Sequence, residues 1–146
     1  MMEDVGRTLR MLGFDVLIRR HDEPIEEFVR QEGIIITKRK RWDEKLRNEI
    51  MGRLFIFKDN ARREAIVAYI LNKFGVPPRE QFFSRCLICN TPLIVPDEIP
   101  DIPGVDKSTV RYCPVCKKYY WEGSHTRRMM KYLEERIFPL VRDDLY

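Results

Sequence analysis

The chain has 146 residues, 44% of them hydrophobic and 34% charged, with a formal net charge of +4 and a pI near 8.9. That length holds one or two small domains, and that balance excludes a disordered or fibrous chain. No apolar run reaches the roughly 18–20 residues of a spanning helix, and the opening MMEDVGRTLR has no signal-peptide core, so no membrane contact and a cytoplasmic location are expected.

Residues 3–12 place Val5, Leu9 and Leu12 at helical spacing, and Gly13 stops that helix. FDVLI (14–18) reads as a strand. Asp22 is placed to cap a helix with Pro24 in its first turn, running to about Glu32. GIIIT (33–37) is the next strand, a β-branched run that opens onto Lys38, Arg39, Lys40, Arg41 and Trp42. Residues 43–51 are expected as a helix closed by Gly52, and RLFIF (53–57) as a third strand. Asp59 or Asn60 then caps a longer helix whose apolar positions are Ile66, Val67, Ile70, Leu71 and Phe74, ended by Gly75 and Pro77. Strands alternating with helices predict βαβ units and a parallel sheet, so the expected fold class is α/β. Because the chain opens on a helix, the first strand of such a sheet is expected to be missing.

Residues 76–85 (VPPREQFFSR) have the composition of a linker, which divides the chain into residues 1–80 and 81–146. Cys86 and Cys89, in CLIC, and Cys113 and Cys116, in CPVC, are the four cysteines, separated by residues 90–112. Two residues between cysteines let a tight turn aim both sulfurs at one ion, and two such turns supply the four thiolates that suit tetrahedral Zn²⁺. Four sulfurs close the coordination sphere, so such a site is structural. Two redox-active pairs or an iron centre are the alternatives. His125 is a possible further ligand by type, made surplus by four thiols. Between the pairs, 96–108 (PDEIPDIPGVDKS) reads as a loop. KYYWEG (118–123) favours a strand, and 126–137 (TRRMMKYLEERI) a helix. FPLVRDDLY (138–146) is uninformative.

RCLICNTPL and YCPVCKKYYWEGSH, preceded in order by LRMLGFDV, EGIIIT and FGVPPREQFFSRC, resemble a PIN-like ribonuclease family. That family is named for the C-terminal domain of the mut-seven exonuclease, and the likeness covers about residues 5–130. It implies a small PIN-like α/β domain over 1–80 and a C-terminal zinc ribbon with a helix over 81–146. It also implies clustered carboxylates that hold Mg²⁺ or Mn²⁺ and activate water to cut RNA. Hard divalent ions want oxygen ligands, and the bound metal lowers the pKa of water. Asp22, Glu23 and Asp59 match acidic positions of the family, and Asp22 and Asp59 are equally well placed as helix caps. In two places the pattern fails. The family's strand ending in Asp would precede the first residue, and Thr37-Lys38-Arg39 stands where the family writes Thr-Arg-Asp.

A cation in place of a metal-binding acid turns the expectation towards RNA binding with a degenerate nuclease site. Lys38, Arg39, Lys40 and Arg41 are candidate phosphate contacts, with Trp42 a candidate base stack. In the ribbon, Arg85, Arg111, Lys117, Lys118, Arg127, Arg128 and Lys131 are interleaved with Tyr119, Tyr120 and Trp121, a mixture that suits single-stranded RNA. Solvated charge runs, and a Trp121 packed behind the knuckles, are the structural alternatives. An active Mg²⁺- or Mn²⁺-dependent ribonuclease and a zinc-ribbon protein-interaction module are the competing functions.

Overall fold

The computed structural model describes residues 2–18, 25–38 and 50–141. It is an α/β structure built on a three-stranded parallel sheet, with a cysteine-bearing hairpin module near the C-terminus. Helix α1 (Met2–Met11) has Glu3 and Asp4 in its first turn and Arg10 in its last, matching the helix dipole at both ends. Gly13 turns the chain with φ +99°, and a Cβ there would lie 2.6 Å from the Gln81 carbonyl oxygen. Only glycine fits both demands.

Strands β1 (Val16–Ile18), β2 (Ile34–Thr37) and β3 (Leu54–Ile56) follow in that spatial order. Val16 pairs with Ile34, and Ile35 with Leu54, both in parallel register. Parallel neighbours need crossovers, and α2 (Ile25–Arg30) lies within the one between β1 and β2. Most of the helix expected at 43–51 lies outside the described residues. At its end Ile50 is buried and the chain turns through 50–52. Alternate side chains of the strands face opposite layers. Val16, Ile18 and Ile36 pack with α1, and Leu17 and Ile35 pack with Phe28 and Ile50.

Helix α3 (Arg63–Phe74) begins later than its polar lead-in suggests. Its N-cap is Arg62, which makes no side-chain capping bond. Asp59 and Asn60 sit instead in the turn that Ala61 N–H closes on the Lys58 carbonyl at 3.0 Å. The far end is as the sequence implies, with Gly75 N–H on the Leu71 carbonyl at 2.7 Å.

Residues 76–85 cross the molecule in contact with it. A short 3₁₀ turn (Arg79–Gln81) leads to Phe82 and Phe83, which pack on the main core, and Phe83 N–H donates to the Met11 carbonyl at 2.7 Å. Strands β4 (Arg111–Cys113) and β5 (Lys118–Tyr120) form an antiparallel hairpin, with a bridge from Ile94 to Tyr112 extending it. Helix α4 (Ser124–Tyr132) starts two positions before residue 126, because Thr126 Oγ1 accepts from Gly123 N–H at 2.8 Å and donates to its carbonyl at 2.9 Å. The chain continues through a π-type turn (Leu133–Ile137) and a 3₁₀ turn (Phe138–Leu140). Leu133, Ile137 and Val141 lie in the same core as Val5, Leu9, Ile66 and Ile70, so the segments on either side of residue 80 share one apolar interior.

Candidate metal centre and strand-end site

Each CxxC folds by the same device. Asn90 and Lys117, the residues after the second cysteine of each pair, take left-handed φ of 72° and 57°. Their N–H groups donate to the carbonyls of Cys86 and Cys113 at 2.9 and 2.8 Å. The tight turn that results points both sulfurs of a pair to one side.

The two turns face each other. Cys86 and Cys116 Sγ are 3.8 Å apart, Cys89 and Cys113 Sγ 3.5 Å, and all four sulfurs lie within 4.8 Å of one another. A tetrahedron with Zn–S bonds of about 2.3 Å has edges of about 3.8 Å, so the arrangement fits that ion with little adjustment. The sulfurs have polar neighbours: Cys116 N–H donates to Cys113 Sγ at 3.3 Å, Cys89 Sγ donates to Thr91 Oγ1 at 3.1 Å, and the Tyr120 hydroxyl lies 3.1 Å from Cys86 Sγ. Crowding splits the thiols. Burial pushes Cys89 up, but hydrogen bonds with Thr91 and the neighbouring thiols outweigh it and bring it to about 6. Cys116 is driven to about 12 by its contact with Cys89 and by burial. Four thiolates at these distances need a cation between them, and the four-cysteine cluster could hold a metal ion such as zinc. His125 is exposed and is not part of the cluster.

The first turn is fastened to the sheet. Asn90 Oδ1 accepts from Val16 N–H at 3.1 Å, and its Nδ2 donates to Asp15 Oδ1 at 2.6 Å. Arg10, 6% exposed, donates to the Val16 carbonyl from Nε and Nη2, and from Nη1 to the carbonyls of Leu87 and Ile88 at 3.0 Å each. The latter two carbonyls belong to the residues between Cys86 and Cys89. Neither Arg10 nor Asn90 carries a sequence signal for this role, although asparagine directly after CxxC is a hint of a left-handed turn.

At the other end of the sheet the picture is sparser. Asp22, Glu23, Arg39, Lys40, Arg41 and Trp42 lie outside the described residues. Asp59 is exposed just beyond β3, and its backbone carbonyl accepts from Lys38 Nζ at 2.6 Å. Among the described residues, the four cysteines form the one group of three or more His, Cys, Asp or Glu close enough to share an ion. The ribbon cations do not make a single patch. Lys117 and Lys118 are exposed at the hairpin, while Arg127 and Arg128 line two different hollows beside α4. Among the described residues no helix is long and apolar enough to cross a membrane.

The family profile described as Mut7-C RNAse domain matches residues 1–133. No curated protein and no solved structure matches the chain.

Proposed function

The chain belongs to the Mut7-C RNase domain family, and on that premise we propose that it is an RNA-binding protein with a structural zinc ribbon and a degenerate nuclease site. Cys86, Cys89, Cys113 and Cys116 would hold the Zn²⁺ ion as a closed set, with no position left for water. The ion's contribution is to fix the two turns and the hairpin between them. RNA is the ligand that the family implies.

The observation that carries the degenerate reading is the hydrogen bond from Lys38 Nζ to the Asp59 backbone carbonyl at 2.6 Å. A nuclease centre at this strand end would gather carboxylate oxygens around a divalent cation. Here an ammonium group is hydrogen-bonded to the loop that presents the candidate acid, and its charge opposes a metal ion. The same ammonium suits a phosphate, which is what a site retained for binding would keep.

A cleavage assay on a mixed RNA pool, supplemented in turn with Mg²⁺ and Mn²⁺, tests this. Binding without metal-dependent cleavage is expected. Robust cleavage that Asp59→Asn abolishes would establish the active ribonuclease instead.

A further inference from the structure

We propose that the groove between the Arg79–Gln81 turn and the 121–125 segment binds single-stranded RNA, with one unstacked base on Trp121 and flanking phosphates on Arg79 and Arg111. This rests on the RNA-binding reading above and gives it a place in the fold. The groove has a volume of about 410 Å³, within the range of small-ligand sites. Its floor is apolar, with Phe82, Phe83, Leu87 and Met129. Trp121 lines it yet stays 41% exposed, so an indole face remains for a partner.

Two arginines are set up for phosphate. Arg111 Nη1 donates to the carbonyls of Ser108 and Val110 at 2.9 and 2.8 Å, which fixes the guanidinium and leaves its other N–H groups without a hydrogen-bond partner among the described residues. Arg79 stands 5.7 Å over the Phe82 ring and contacts Met130 Sδ at 3.7 Å, with no ion pair among the described residues. Glu80 and Glu122 also line the groove, and Arg85 beside them is held by the Asn90 carbonyl at 2.9 Å and by Asp15 at 3.9 Å, so the phosphate contacts fall to Arg79 and Arg111. Phe83 holds φ +60°, anchored by its N–H on the Met11 carbonyl at 2.7 Å, which fixes that side of the groove to the core.

The groove continues on both sides. Towards one end it shares Arg79, Phe82, Phe83, Glu122 and Thr126 with a hollow of about 620 Å³ that brings in Arg127 and Lys131 together with Glu134. Towards the other, His125 and Met129 lead to a hollow lined by Asp4, Arg63 and Arg128. An aromatic face flanked by guanidinium groups is the pattern that holds an unstacked base of a single strand.

The test is fluorescence anisotropy with labelled octauridine and with an RNA duplex of equal length. Stacking of one base predicts that Trp121→Ala weakens octauridine binding about five- to hundred-fold and the duplex less than about twofold. Trp121→Phe keeps an aromatic face and should keep affinity within about threefold. Arg79→Met with Arg111→Met should reduce the slope of log affinity against log salt by about 1.4, two phosphates' worth. Far-UV dichroism and zinc content verify folding, and the double-Met variant carries the test if the Ala variant is unstable. If the parent binds octauridine and the folded Trp121→Ala and double-Met variants bind it with unchanged affinity and salt slope, the groove is refuted and RNA binds elsewhere. A parent that binds neither oligonucleotide overturns both readings and leaves the groove to a peptide partner.

Discussion

Replacing Arg10 by Met should loosen the sheet and the first cysteine turn together. Methionine keeps most of the buried volume and removes every guanidinium hydrogen bond. Three carbonyl oxygens then lose their donor: Val16, Leu87 and Ile88. An unsatisfied buried acceptor costs about 1–3 kcal/mol. Val16 is fully buried and bears that cost in full. Leu87 is half-buried and Ile88 is 45% exposed, so water can replace part of what their carbonyls lose. The sum is about 2–4 kcal/mol, which for a chain of this size lowers Tm by about 5–15 °C. Because two of the carbonyls lie inside CLIC, the same variant should give up zinc to a chromophoric chelator at lower chelator concentration. Arg10→Lys should recover little, since one ammonium cannot span acceptors that a planar fork reaches at once. Thermal unfolding and chelator competition, run on the same preparation, read both effects. A Tm shift under about 2 °C with unchanged zinc retention would refute the coupling.

Elemental analysis should find one zinc per chain, and Cys113→Ser should lose it and lower Tm, because three thiolates leave the two turns unjoined. Replacing Lys38, Arg39, Lys40 and Arg41 together by Ser should flatten the salt dependence of RNA binding by up to about three units of log–log slope, with the melting temperature unchanged; an unchanged slope would assign all phosphate contacts to the ribbon side. Glu64 receives a hydrogen bond from its own backbone and one from the Tyr132 hydroxyl at 2.9 Å, and together they hold its carboxyl below the usual carboxylate range. A depressed carboxyl stabilises above its unfolded value and loses that contribution as pH falls through its folded value. Tyr132→Phe should therefore cost about 1 kcal/mol at neutral pH, and the gap to the parent should close in acid, as measured by urea unfolding at pH 7 and pH 3.

The sheet was legible because its signal is local. GIIIT and RLFIF are short β-branched or aromatic runs between turn residues, and Gly13 and Gly75 end helices as glycines do. The cysteine cluster was legible for the same reason, since CxxC spacing alone specifies the turn. The start of α3 was misjudged because Asp and Asn favour turns as readily as caps, and the turn at 58–61 won. Arg10 was out of reach. In sequence it is a basic residue in a last helical turn, an ordinary dipole partner. Its burial depends on carbonyls 77 and 78 positions away. Val141 likewise lies in a tail with no periodicity, yet it is in the core because the turns after α4 fold back onto α3.

The two sites sit at opposite ends of the sheet, and that placement gives the ribbon its part in the proposed function. Asp15 and Val16, which receive the first cysteine turn, stand at the start of β1. Lys38 and Asp59 stand beyond the ends of β2 and β3, the side where open α/β sheets take their ligands. A metal at the cysteines therefore cannot act on a phosphate at the strand ends. What spans the distance is α4, anchored next to the ribbon by Gly123 and Thr126 and carrying Arg128 towards the hollow beside Asp4 and Arg63. Arg63 opens α3 and lies 3.9 Å from Asp4 in the first turn of α1. Because α3 follows β3, its first residue belongs to the strand-end side. A metal at the cysteines would fix the hairpin and with it the start of α4, the helix that carries Arg128 to the hollow beside Asp4 and Arg63.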